Sequence, residues 1–128
     1  MPRLAAVAVL VRDYDEAIAW FTSVLGFVLL EDTDLGGGKR WVKVAAEPGG
    51  AALLLARAVG DQTQAVGRQA GGRVGFFLEV SDFTAAHARM QAAGVVFGPP
   101  RTEAYGRVAV FTDLYGNRWD LLEAPEGG

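Results

Sequence analysis

A repeat constrains this chain more than any other feature. The pattern Asp13-Tyr14, Ile18, Phe21 returns 69 positions later as Asp82-Phe83, His87, Met90. Each copy is a helix N-cap residue followed by one face at helical spacing. In the first copy, residues 4–11 read as a strand that is apolar on both faces, and Asp13 with Glu16 makes a capping box. Tyr14, Ile18, Phe21 and Leu25 form the helix face, and Gly26 stops the helix at C′. Residues 27–30, 40–45 and 52–56 are three further strand candidates, separated by Gly36-Gly37-Gly38 and Pro48-Gly49-Gly50. After residues 58–72, which are rich in Gly, Gln and Ala and read as a linker, the order restarts. Residues 74–80 are a strand, Asp82 caps a helix with Phe83, His87 and Met90 on one face, and Gly94 ends it. Residues 95–97, 107–112 and 118–122 complete the set. The fold class expected is α+β: two βαβββ modules in one domain, 1–128, with curved mixed sheets around a central cleft. Module one covers about 4–57 and module two about 73–124. Half-domains that each leave one sheet face bare can cover a shared hollow.

The last hairpin, residues 106–123, holds both core and candidate site. Val108 and Val110 alternate with Ala109 and Phe111, and residues 113–117 supply the turn. There Asp113 is expected to bond its own backbone, while Gly116 and Asn117 tolerate positive φ. On the returning strand Arg118, Asp120 and Leu122 share one face, and Trp119, Leu121 and Glu123 the other. Aspartate is depleted in strands. Asp120 therefore faces water or something that wants a carboxylate, and Trp119, on the opposite face, is assigned to helix packing.

Composition removes several function classes. The chain has no cysteine, so thiolate catalysis, disulfides and Cys-based metal sites are excluded. It has one histidine, His87, expected to be a packed or rim residue, and a 2-His-1-carboxylate centre needs two. The net charge of −3 gives no general pull toward nucleic acid or anionic membrane. No apolar run approaches the roughly 20 residues of a membrane span, and the first residues lack a signal-peptide layout. The localisation expected is cytoplasmic. Gly36-Gly37-Gly38-Lys39 lacks the remaining residues of a phosphate loop and reads as a turn. Ser23 and Ser81, the only serines, sit late in a helix and at a helix cap, which disfavours a Ser-His-acid triad.

The segment 11–27, VRDYDEAIAWFTSVLGF, the segment 113–121, DLYGNRWDL, and the paired modules together resemble the vicinal oxygen chelate superfamily. That superfamily includes glyoxalase I, bleomycin-resistance proteins and extradiol dioxygenases. The resemblance covers nearly the whole chain and specifies the fold more than the reaction. It implies a pocket lined by the concave sheet faces, usually in a homodimer. Metal-dependent members carry ligands on the first and last strands of each module. Those positions fall here on Ala6, Gly75, Leu53 or Leu55, and Asp120, of which only Asp120 can bind a metal.

The function expected is binding of a small aromatic or amphipathic molecule without a transition metal or other cofactor. The ligand-binding candidates are Trp41, Phe77, Arg101, Tyr105, Phe111 and Asp120, with Arg101 on a short irregular segment after Pro99-Pro100. The alternative is an enzyme of lyase, isomerase or dioxygenase type, using Asp120, Glu79 and Tyr105 without metal or with a hard cation such as Mg²⁺ held by carboxylates.

Overall fold

The computed structural model describes residues 1–124, which fall into two compact units, Met1–Val66 and a second beginning at Gly67. In the first unit β1 (Val7–Val11) leads into α1 (Tyr14–Ser23), and β2 (Val28–Gly36), β3 (Lys39–Ala45) and β4 (Ala52–Arg57) follow. The second unit repeats this order: β5 (Val74–Glu79), α2 (Phe83–Ala92), β6 (Arg101–Glu103), β7 (Gly106–Thr112) and β8 (Arg118–Glu123). Each unit holds one four-stranded mixed sheet, ordered β1-β4-β3-β2 in the first and β5-β8-β7-β6 in the second. The outer pairs β1–β4 and β5–β8 are parallel and the rest antiparallel.

Both helices start where the sequence says they should. Asp13 Oδ1 accepts from the Glu16 amide at 2.8 Å and Asp82 Oδ1 from the Ala85 amide at 3.0 Å. The helix α1 packs on β2, β3 and β4 and buries Tyr14, Ala17 and Phe21, and Val9, Val11, Val42, Val44 and Leu55 of the sheet are buried as well. Full burial of side chains such as Phe21 and Leu55 is worth about 1.5–3 kcal/mol each. Arg40 adds a polar clamp on the same side. Its guanidinium bonds Asp32 through two nitrogens, at 3.1 and 2.7 Å, reaches Asp15 at 2.9 Å, and lies 5.1 Å from the Tyr14 ring centre. The Arg40 hydrogen bond holds the Asp32 carboxyl below its ordinary range.

In the second unit the helix side is a run of rings. Phe76 stacks on Trp119 at 4.7 Å, Trp119 on Phe111 at 5.7 Å, and Phe97 meets both Phe111 and His87. His87 in turn stacks on Phe83. The imidazole is thus a core ring, and its Nε2 is buried without a hydrogen-bond partner. Trp119 and Leu121 are buried on this side, as strand alternation requires.

Three boundaries differ from the sequence reading. Residues 95–97 contribute only a single bridge, Phe97 to Phe111, and the edge strand is instead Arg101–Glu103. Pro99-Pro100 delays the strand, because neither residue can donate to a ladder. Strand β2 runs on to Gly36, since its pairing with β3 continues to the Gly-rich turn. The stretch 58–72 is not a free linker. Gly60–Ala65 form a 3-10 helix in the first unit, and the strap from Gly67 packs against the 113–117 turn of the second.

Candidate functional site

The turn at residues 113–117 fixes the register from which the site follows. Asp113 is buried, and its Oδ1 accepts from the Tyr115 and Asn117 amides, both at 3.0 Å. Its Oδ2 accepts from Asn117 Nδ2 and Trp119 Nε1, also at 3.0 Å. Gly116 takes φ 101°, and among the described residues none other than glycine has a positive φ, so Asn117 serves through its side chain rather than through the left-handed backbone. The Asn117 Oδ1 accepts from the Gln69 amide at 2.9 Å and ties down the strap.

With this turn in place Thr112 pairs with Arg118, Phe111 with Trp119 and Val110 with Asp120. Across β5, Phe77 pairs with Asp120 and Glu79 with Leu122. Residues paired across strands share a face. Phe77, Glu79, Val110, Asp120 and Leu122 therefore lie on the side of the sheet away from α2. Phe111 does not. It is 1% exposed and belongs to the ring core on the helix side, which corrects its placement among ligand contacts. An odd-numbered turn sets it opposite Trp119, and partners across a ladder face the same way.

On the open face Phe77 is 58% exposed, whereas Asp120 beside it is only 4% exposed. The Asp120 Oδ1 is buried with no hydrogen-bond partner. Nearly every buried polar atom in a folded protein has one. Arg101, on β6 rather than on irregular chain, donates from Nε to Glu103 Oε1 at 2.8 Å, and its Nη2 lies 3.5 Å from the Tyr105 hydroxyl. The Glu103 hydrogen bond, then the Tyr105 one, raise the Arg101 pKa, with the Asp120 charge adding to them against desolvation. The guanidinium is a cation at any working pH. Its exposed pairing with Glu103 contributes little to stability, but it orients a cation next to Asp120.

The structure thus gathers Arg101, Tyr105, Asp120 and Phe77 in the second unit, with Glu79 on the same face and exposed. Glu103 was not legible in the sequence, since an exposed acid two residues from an arginine carries no signal before the strand is known. Trp41 lies in the first unit, paired with Thr33 on its sheet's own open face and 40% exposed.

The donor set does not fit a metal centre of the type the family resemblance implies. Ala8 pairs with Leu54 as Phe77 pairs with Asp120, so the first-unit counterpart of Asp120 is Leu54. This corrects the sequence-based choice of Leu53 or Leu55, of which Leu55 is fully buried. Module two is three residues shorter between its first and last strands, which shifts the repeat offset there. Gly75 sits at a bulge, and a Cβ on it would lie 2.5 Å from the Ala70 Cβ, so no ligand side chain can stand there without moving the strap. Among the described residues, no three His, Cys, Asp or Glu side chains gather closely enough to hold an ion.

Comparison with known proteins agrees with this architecture. An uncharacterised protein of Shewanella frigidimarina is 51% identical over 122 residues, covering 91% of this chain and 90% of that protein. Among solved structures, TnmS3, an antibiotic binding protein from Streptomyces sp. CB03234, matches with TM-score 0.79 and 28% identity, over 98% of both chains. UcmS2 matches with TM-score 0.80 and 30% identity, over 95% of this chain and 98% of its own. No helix among the described residues is long and apolar enough to cross a membrane. The model of the Glyoxalase/Bleomycin resistance protein/Dioxygenase superfamily matches residues 3–121, the span that contains the Asp113 turn and all but the last two residues of the two βαβββ units, and the chain belongs to that superfamily.

Proposed function

We propose that this protein binds a small aromatic or amphipathic organic molecule, of the antibiotic class, on the open face of its second sheet. Asp120, Arg101 and Tyr105 supply the polar contacts and Phe77 the apolar one. Trp41 is the aromatic contact offered by the first unit's own open face. The observation that carries this reading is the Asp120 carboxyl, buried beside an exposed ring with Oδ1 unpartnered. A carboxyl oxygen left without a donor costs the fold stability, and such a cost persists where a ligand completes the bond. The likeness to TnmS3, named as an antibiotic binding protein, adds support.

Leu54 provides the test. Replacing Asp120 with leucine gives module two the side chain that module one already carries at the matching position. Asp120→Leu is expected to weaken a bound compound at least tenfold while leaving the unfolding free energy equal or higher, because an apolar replacement removes the unsatisfied atom. The compound comes from a thermal-shift screen of aromatic antibiotics, bleomycin included. If Asp120→Leu binds the hit as the native chain does, the site is misplaced.

The same oxygen favours one second reading, an enzyme of lyase or isomerase type in which Asp120 accepts a proton beside Arg101 and Tyr105, with Glu79 as a further carboxylate. Mass spectrometry of the compound after incubation decides between them. Recovery unchanged selects binding; conversion that Asp120→Leu abolishes selects catalysis.

Both readings carry a homodimer. Light scattering at micromolar concentration is expected to give twice the 13.6 kDa chain mass, and a monomer mass would remove this part of the proposal.

A further inference from the structure

The second unit has a concavity built by the strap and the 113–117 turn. It encloses about 200 Å³ and is lined by Arg68, Arg73, Arg118, Phe76, Asn117 and the glycine-rich backbone around them. Nothing in the Asp120 site uses it. No carboxylate lines it, although the chain as a whole is acidic at −3.

The three arginines come from separated places. Arg68 and Arg73 flank the strap and Arg118 opens β8, so the tertiary structure, not a local run of sequence, collects them. Two are held in place by main-chain bonds. Arg68 Nη2 donates to the Gly71 carbonyl at 3.2 Å, and Arg73 Nε to the Val74 carbonyl at 3.0 Å. Each of these bonds uses one N–H of five, leaving the rest of the fork for another acceptor. Glycine bends the wall: Gly67, Gly71, Gly72 and Gly116 all have positive φ. Of these, Gly67 and Gly116 bring strap and turn close enough to form one rim, since Tyr115 O lies 2.0 Å from where a Gly67 Cβ would be. The floor includes Phe76, half-buried and stacked on Trp119.

Three arginines lining one concavity with no carboxylate among them favour an anion there, and a tetrahedral oxyanion accepts from several forks at once where a single carboxylate fills one. We propose that this pocket binds a phosphate group, either free or as the monoester of a small molecule, through Arg68, Arg73 and Arg118. The volume admits the phosphate and the first few atoms of a substituent, which would rest on Phe76.

The test is titration of the full chain with inorganic phosphate, followed by amide NMR, against sodium chloride at matched ionic strength. Saturable shifts are expected at the amides of Gly67, Gly71, Gly72 and Gly116 with phosphate and not with chloride. Arg73→Gln and Arg118→Gln should each raise the dissociation constant about tenfold, whereas Arg89→Gln, which removes the same charge from α2, should leave it unchanged. Arg118 is exposed at the start of its strand, so its variant keeps the test meaningful should the Arg73 variant fold poorly. Phenyl phosphate binding about tenfold tighter than inorganic phosphate would assign the ester; equal affinity would assign the free anion. Absence of saturable shifts, equal shifts in chloride, or unchanged affinity in Arg118→Gln would overturn the proposal.

Discussion

Asp113→Ala is expected to lower the unfolding free energy by about 4 kcal/mol. One carboxylate there satisfies four donors: the Tyr115 and Asn117 amides, Asn117 Nδ2 and Trp119 Nε1. Asn117 and Trp119 are themselves buried, each 3% exposed. A buried donor stripped of its acceptor costs about 1–3 kcal/mol, and water admitted to the turn recovers part of the total. Against a typical stability of about 5–15 kcal/mol the remainder is a large fraction. Asp113→Asn keeps the shape but turns an NH₂ toward groups that are themselves donors, so it should fall between alanine and the native residue. Urea unfolding monitored by tryptophan fluorescence measures both. A loss below about 1 kcal/mol for Asp113→Ala would show that the turn holds without its carboxylate.

Gly67→Ala comes second, at about 3 kcal/mol. Gly67 has φ +79°, and an added Cβ would stand 2.0 Å from the Tyr115 carbonyl oxygen. The left-handed conformation alone costs a non-glycine residue about 1–2 kcal/mol, and the overlap is with main chain, which cannot swing aside. Either the strap lifts or the turn shifts. In both cases the bond from the Gln69 amide to Asn117 Oδ1 is lost. Gly71→Ala is the internal control. It has φ +70° with nothing within 4 Å of a new Cβ, so it should cost only the conformational part. Hydrogen exchange of the Gln69 amide, measured beside the two unfolding curves, should speed up in Gly67→Ala and not in Gly71→Ala. Equal destabilisation by the two substitutions would mean the strap is not seated on the turn.

How much of this was legible in the sequence depended on whether the signal was local. The capping residues Asp13 and Asp82 and the βαβββ order repeated around them required only propensity and period, and both are present in the structure. The face on which Asp120 stands followed from alternation with Trp119, and it too is as read. Phe111 was misplaced because its face depends on the register across the hairpin, which the length of the turn sets and which no residue of the strand announces. Leu54 was missed for a related reason. The repeat offset is 69 at the helices and first strands but 66 at the last strands, so the helix spacing does not carry forward to Leu54, and its neighbours Leu53 and Leu55 fall on the other face. The strap looked like a linker because its order comes from the Asn117 side chain, forty-eight positions distant, and not from any period of its own. Glu103 became visible only with the edge strand that sets it beside Arg101.

The pairing of Ala8 with Leu54 in one half and of Phe77 with Asp120 in the other records how a doubled chain divides its labour. One copy carries hydrocarbon at the matching position and the other an acid. A perfectly symmetric ancestor would have had to carry that acid twice or not at all. Substitutions around Asp120 can therefore alter the contacts proposed for the ligand without touching the scaffold of the other half, and relatives of this chain should diverge faster around Asp120 than around Leu54.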